Sequence, residues 1–306
     1  MKYRKTRIVC VSDSHNQTPK LPAGDILIHA GDLTNQGSYS ELKKTVEWIE
    51  RSPFEVKIVV AGNHDTTLDE PFFHSNSNKW KWPHPQDPVA CRKLLTGSPS
   101  LTYLEHETAT AYLTSPGGSK ARVKVFGSPY SPGRRGWAFQ YEDDAAAENL
   151  WAEIEHDVDI VVTHTPAHGH CDSHPATPDV RAGCPVLLRR VAKVRPKLLV
   201  CGHIHQGRGA ERVRWHPSTT DAAALPSAPV AAVQRWTDPG TGNNKASLLN
   251  LATKSKYPLD HNVSTRRNET AVINAALMGP RVAGTGKALN KPIVVDIDLP
   301  MYEAES

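Results

Sequence analysis

The chain has 306 residues, of which 39% are hydrophobic and 22% charged, and a formal net charge of +4. This is a soluble globular composition with ample apolar content for a core, and no apolar run is long enough to cross a membrane. Five cysteines, an odd number without paired spacing, argue against a disulfide framework and for a reducing compartment. The N-terminal "MKYRKTRIVCVSDSH" has only four consecutive apolar residues before Ser12, too few for a signal-peptide core. A cytoplasmic location is therefore expected.

In chain order, five short Val/Ile/Leu runs share one design. "RIVCVSDSH" ends in Asp13 and His15, "DILIHAGDLT" in Asp32, and "VKIVVAGNHD" in Asn63, His64 and Asp65. Further on, "DIVVTHTP" ends in His164 and "KLLVCGHIH" in His203 and His205. Near-continuous apolar runs of this length read as strands buried on both faces. Functional groups in open α/β sheets gather beyond the carboxyl ends of strands, so these five ends are candidates to meet.

Helical patterns lie between the runs. "SYSELKKTVEWIERSP" begins with Ser38 and Glu41 in capping-box spacing, carries Leu42, Val46 and Ile49 on one face and stops before Pro53. "EDDAAAENLWAEIEHD" and "CPVLLRRVAKVRP" also read as helices and precede the His164 and His203 strands. Residues 101–128 read as consecutive strands around a Pro-Gly-Gly turn, "HSNSNKWKWPHPQ" as a surface loop, and "KPIVVDIDLP" as a last strand. Mixed βα units with antiparallel strands suggest two packed sheets with helices outside. Residues 206–270 hold nine Lys/Arg and five Asp/Glu, so this segment alone carries the net charge. It lacks sustained period, and residues at about 211–268 are expected to form a basic, largely irregular insertion in a single domain spanning 1–306. Such an arm is the place where nucleic acid or an acidic partner would bind, although a solvated excursion is favoured.

The strand-end residues are two carboxylates, one amide and four histidines, too many for one ion and suitable for two. Imidazole with carboxylate suits Mn, Fe or Zn, and the absence of thiolates argues against a structural zinc site. Two ions ~3.5–4 Å apart, bridged by one carboxylate, activate a water and hold an in-line displacement at phosphorus.

The ordered motifs "DSH" (13–15), "GD" (31–32), "GNHD" (62–65), His164 and "GHIH" (202–205) closely resemble those of the calcineurin-like metallophosphoesterase superfamily. The resemblance implies a four-layer α/β/β/α sandwich of two mixed sheets flanked by helices. It implies Asp13, His15 and His205 on one metal, Asn63, His164 and His203 on the other, and Asp32 bridging them. Manganese is the expected metal, with Fe and Zn as alternatives. His64 would act on the leaving group, with Asp65 orienting its imidazole, while a metal-bound hydroxide attacks phosphorus. Further segments, "GDLTNQG", "GSPYSPGRRGWAF", "GCPVLLRRVAKVRPKLLVCGHIHQGRG" and "VINAA", resemble the foetal-brain metallophosphoesterase-domain branch. That resemblance implies a phosphodiesterase acting on small or cyclic nucleotides. The alternatives are a phosphomonoesterase, including a protein phosphatase, and a nucleotide-binding regulator with residual activity. The second motif departs from many relatives in having Asn35 where they carry a carboxylate.

Arg134, Arg135 and Trp137 in "SPYSPGRRGWAF" would suit a phosphate clamp and a base-stacking ring, with packing of Trp137 in the core an equal alternative. "HTPAHGHCDSH" offers His168, His170, Cys171, Asp172 and His174. A substrate-mouth loop is expected there rather than a third metal site, with His168 nearest the phosphate.

Overall fold

The computed structural model describes residues 2–76, 78–133, 136–173, 177, 179–216, 229–255, 267–282 and 286–302. The first half contains strands β1 (Tyr3–Val11), β2 (Ile26–Ala30) and β3 (Val56–Val60), with helix α1 (Tyr39–Glu50) between the last two. Helices α2 (Glu70–Asn76) and α3 (Pro88–Thr96) follow, then β4 (Thr102–Tyr103), β5 (Glu107–Tyr112), β6 (Arg122–Ser128) and the two-residue pair β7 (Ser131–Pro132) and β8 (Gln140–Tyr141). Helix α4 (Asp144–Ala152), β9 (Ile160–Thr163), α5 (Pro185–Val194) and β10 (Leu198–Cys201) repeat the alternation. The remaining strands are β11 (Gly209–Trp215), β12 (Val230–Arg235), β13 (Ser247–Asn250), β14 (Glu269–Asn274), β15 (Met278–Val282), β16 (Gly286–Leu289) and β17 (Ile293–Pro300).

Two mixed sheets carry the fold, one in the order β13-β17-β1-β2-β3-β4 and the other β12-β11-β14-β10-β9-β6-β5. Alternate residues of each central strand face opposite layers, as the two-residue side-chain period requires. Ile8, Cys10, Ile26, Ile28, Ile58 and Val60 meet Ile160, Val162, Leu198, Val200 and Ile273 in a core between the sheets. The intervening Val9, Leu27 and Val59 pack outward on Leu42, Val46 and Ile49 of α1 and Cys91 and Leu95 of α3. On the opposite side Val161, Leu199 and Val272 pack on Trp151 of α4 and Leu187 and Val191 of α5. These four layers are the expected α/β/β/α sandwich. None of the helices among the described residues is long and apolar enough to cross a membrane.

The capping box of α1 forms as its sequence predicts, with Ser38 Oγ accepting the Glu41 amide and the Glu41 carboxylate accepting the Ser38 amide. Helix α3, not anticipated from the sequence, starts on Asp87, whose carboxylate accepts the amides of Val89 and Ala90, with Pro88 in the first turn.

The stretch at about 211–268, expected to form a largely irregular insertion, contains three strands among its described residues. Strand β11 pairs antiparallel with both β14 and β12, and β13 pairs parallel with β17, so this stretch supplies an edge strand to each sheet. Its described arginines are matched in place: Arg214 with Glu269 at 3.0 Å, Arg235 with Glu211 at 3.4 Å and Arg267 with Asp159 at 3.0 Å, while Arg212 also pairs with Glu269. Short strands paired to a sheet need no internal periodicity of their own to be stable, because the neighbouring strand supplies the hydrogen bonds. Residues 217–228 and 256–266 of this stretch lie outside the described residues.

Candidate metal centre

β1, β2 and β3 are mutually parallel in one sheet, and β9 and β10 are parallel neighbours in the other. Their carboxyl ends bring all five motifs to one place. The His164 amide donates to Ser128, the Gly202 amide donates to His164, and the His203 amide donates to both oxygens of Asp13 at 3.0 Å, tying the second sheet's loops to the first's.

Asp13, His15, Asp32 and His205 each offer one ligand atom, and these atoms all lie within 4.8 Å of one another. A second group adjoins them: His164 Nε2 is 3.0 Å from Asn63 Oδ1 and 3.2 Å from His203 Nδ1. Asp32 stands between the groups, with Oδ2 3.6 Å from His15 Nε2 and Oδ1 3.4 Å from His164 Nε2. The donor chemistry fits divalent cations. His15 Nε2 and His205 Nε2 face each other at 3.3 Å, and two imidazole nitrogens so placed can share a single cation or proton but cannot both be acceptors without one. Outside hydrogen bonds hold the rings: His15 Nδ1 contacts the Thr34 carbonyl at 3.0 Å and His164 Nδ1 the Ala30 carbonyl at 2.9 Å. A backbone carbonyl on one ring nitrogen fixes the tautomer and presents the other nitrogen as a ligand.

Backbone conformation also marks the site. Asp13, His15, Asp32 and His203 all have positive φ, between 43° and 65°. Each such non-glycine residue costs about 1–3 kcal/mol, and the cost persists where surrounding structure over-determines it. The motif glycines answer a different demand, close approach. A Cβ on Gly62 would fall against Asp32 N and Oδ1 and lie 2.8 Å from His164 Cε1, and one on Gly202 would fall against Ser12 Oγ and Asp13 Oδ2.

Burial and mutual charge set the ionisation of the metal-free cluster. Burial alone would raise the Asp32 carboxyl, but the adjoining His164 imidazole overrides it by charge and hydrogen bond and holds it far below the usual range. Asp13 is likewise lowered, burial being outweighed by the hydrogen bond from His205 and the charge of His164. His164 is lifted to about 9, because the Asp32 carboxylate outweighs desolvation. Enclosure pushes His203 down to about 4, leaving it neutral and ready to donate a lone pair.

His64 sits beside this group. Its backbone amide donates to Asp32 Oδ1 at 2.8 Å, and its Nδ1 contacts the Asn35 carbonyl at 2.8 Å. The expectation that Asp65 orients this imidazole is corrected by the geometry. The fully buried Asp65 carboxylate accepts the amides of Leu33, Thr34 and Gly62 at 3.1, 2.9 and 2.8 Å and the Thr34 hydroxyl at 2.7 Å. It locks the "GDLT" loop to the "GNHD" loop, and Asn35, the position lacking a side-chain carboxylate, supplies its main-chain oxygen to His64 instead. Adjacency in sequence misled here because His64 and Asp65 lie in the turn beyond β3, where the amides of Leu33, Thr34 and Gly62 draw the Asp65 carboxylate inward.

Trp137 is neither a core residue nor a free platform: its ring lies 4.1 Å from that of His64, tilted by 32°. Arg134, Arg135 and His174 lie outside the described residues. His168 is half exposed, with its nearest ionic neighbour Asp172 at 4.0 Å. His170 is buried and committed to Glu211 at 2.9 Å. Among the described residues, the one convergent group of His, Cys, Asp and Glu is the cluster containing Asp13.

One residue that sequence reasoning missed is Asn274. Fully buried, its amide reaches the carbonyls of Cys171, Gly202 and Ile204 at 3.0, 3.4 and 2.9 Å, fixing the turn that carries His203 and His205. The signal was present, since "AVINA" is another apolar run ending in a polar residue, and β14 lies parallel to β10.

Comparison with known proteins agrees with this architecture. The family model for calcineurin-like phosphoesterase matches residues 6–207. An Emericella nidulans protein named probable rhamnogalacturonate lyase C is 41% identical over 216 residues, covering 68% of this chain and 18% of that protein. Metallophosphoesterase domain-containing protein 1 from human and from mouse is 38% identical over 217 residues, covering 67% of this chain and 62% of each relative. The chain thus spans less than two thirds of the length of these curated relatives. With all five motifs gathered at the strand ends of a double-sheet sandwich, and the family match running from β1 through "GHIH", the chain belongs to the calcineurin-like phosphoesterase family.

Proposed function

We propose that the protein is a dinuclear metal-dependent phosphodiesterase acting on small or cyclic nucleotides. The observation that carries the reading is the position of Asp32, whose two oxygens each face a different imidazole, His15 and His164. One ion would be held by Asp13, His15 and His205 and the second by Asn63, His164 and His203, with Asp32 placed to serve both. When bound, such a pair supplies Lewis acidity toward phosphoryl oxygen and an activated water, Mn being the preferred metal and Fe and Zn the alternatives.

The chain's own residues have distinct tasks. Asp13 and Asp32, held ionised, supply the negative charge that balances two cations. His64, with Nδ1–H committed to the Asn35 carbonyl, keeps Nε2 for the oxygen leaving phosphorus, to which it donates a proton. Asp65 keeps the two loops in register so that Asn63 and Asp32 stay adjacent. Arg134 and Arg135 are assigned to the charged phosphoryl oxygens and His168 to the mouth of the site. Preference for diesters and nucleotides is supported by the motif resemblance to the foetal-brain branch, and a cytoplasmic setting by the cysteine usage.

The test is hydrolysis of bis-p-nitrophenyl phosphate by Mn-loaded protein, beside p-nitrophenyl phosphate and an Asp32→Ala control. Diester hydrolysis faster than monoester hydrolysis, abolished in the control, supports the reading. Faster monoester hydrolysis would replace it with a phosphomonoesterase, and two bound metals without turnover of either ester would favour a nucleotide-binding regulator.

A further inference from the structure

We propose that Trp137 is a positioning residue for His64, its indole face holding the imidazole plane in place. The inference rests on the proposed role of His64 at the leaving group. A single hydrogen bond, Nδ1 to the Asn35 carbonyl at 2.8 Å, leaves the ring free to swing about that contact. Two neighbours remove the freedom. The His15 ring meets His64 edge-on with centroids 4.8 Å apart and planes at 88°, and Trp137 covers it at 4.1 Å with planes at 32°. His15 is itself committed to the cluster, which leaves Trp137 as the restraint that has no other assigned task.

The indole is held where it can do this. The Trp137 amide donates to Gln140 Oε1 at 3.0 Å, the Ala138 amide to the Asn63 carbonyl at 3.3 Å, and the Phe139 amide to Asp69 Oδ2 at 2.7 Å. Ala138 and Phe139 are buried in the outer core with α1 and α3. The strap bearing Trp137 is therefore anchored to the same segment, 63–69, that bears Asn63 and His64. Beyond the indole, the Trp80 ring approaches at 5.9 Å and Lys79 Nζ at 5.5 Å, and the Lys79 ammonium also reaches the Gly136 carbonyl. Packing of its ring against an imidazole gives Trp137 a task beyond the two weighed from sequence, base stacking and core packing. Its loss should therefore act on turnover rather than on substrate affinity.

Full-length Mn-loaded Trp137→Leu and Trp137→Phe proteins would be compared on diaryl phosphodiesters with p-nitrophenyl and unsubstituted phenyl leaving groups. Misplacing a catalytic group costs about 10–100-fold. Trp137→Leu is expected to lower kcat by that factor on the phenyl ester, which needs proton donation most, and by less on the p-nitrophenyl ester. KM and bound metal should stay as in the parent, and Trp137→Phe should recover most of the loss. In the metal-free protein, the His64 ring-proton resonances, assigned by their disappearance in His64→Ala, should lie upfield from the indole ring current and move downfield in Trp137→Leu. A rise in KM with kcat intact, or an equal loss on both esters, would overturn the proposal. The resonance measurement needs no turnover: an inactive parent protein would count against the phosphoesterase reading, and an unmoved His64 resonance against this one.

Discussion

The cradle proposed for the metals and the aromatic flank beside it are built in opposite ways. Cradle residues sit at the ends of parallel strands; Asp13, Asp32, Asn63 and His164 are at most 4% exposed, and several have left-handed backbone held by neighbouring loops. Flank residues Trp137, Trp80 and Lys79 come from two loops, are partly or fully exposed, and touch mainly by ring contacts, with one hydrogen bond from Lys79 to the Gly136 carbonyl. Ligand geometry thus has the rigidity of the sheets behind it, while the leaving-group side depends on loop packing. His64 belongs to both, with its amide on Asp32 and its imidazole against Trp137.

That dual membership permits the sharpest separation of the two regions. In His64→Ala the backbone amide remains, so metal content should match the parent while kcat falls by about 10²–10⁴-fold, the usual worth of general acid–base catalysis. Elemental analysis beside steady-state kinetics checks this, and lost metal would mean that cradle and flank are one unit. A smaller effect is expected at Asn274, behind the cradle. Asn274→Ala frees three carbonyls around the His203–His205 turn and should weaken Mn binding by about 10–100-fold, as loss of groups supporting metal ligands usually does. Competition with a chelator reads the affinity, and an unchanged value would assign that turn's rigidity to the strands alone.

The smallest change per step is one of pH. In the metal-free protein His164 is lifted to about 9 by Asp32, so it carries a proton at neutral pH that must leave before Nε2 can bind a cation. Metal binding near pH 7 should release that proton, and affinity should rise by ~10-fold per pH unit until the His164 pKa is reached. Calorimetry in buffers of differing ionisation enthalpy counts the proton. A pH-independent affinity over that range would show that metal binding displaces no proton from His164.

The sandwich and the cradle were legible in the sequence because each strand and its terminal ligand are contiguous. The same apolar run that buries a strand on both faces delivers the polar group at its end, and a motif glycine marks where two such ends approach. The capping box of α1 was legible for the same local reason. α3 escaped notice because "PVACRKLLT" is short, and its buried face is only Pro88, Cys91 and Leu95. β11, β12 and β13 escaped because short strands draw their stability from a partner strand outside their own segment.

By itself, the sequence determined which strands end in candidate ligands and what kind of ion such residues suit, since both follow from residue type and spacing along one strand. Only the tertiary structure decided that Asn35 rather than Asp65 meets the His64 imidazole, that Trp137 closes over it, and that Asn274 holds the last ligand turn. These contacts join loops from different strands. Their partners are selected by the direction in which each side chain leaves its loop and by the packing of the two sheets, neither of which is encoded in local spacing.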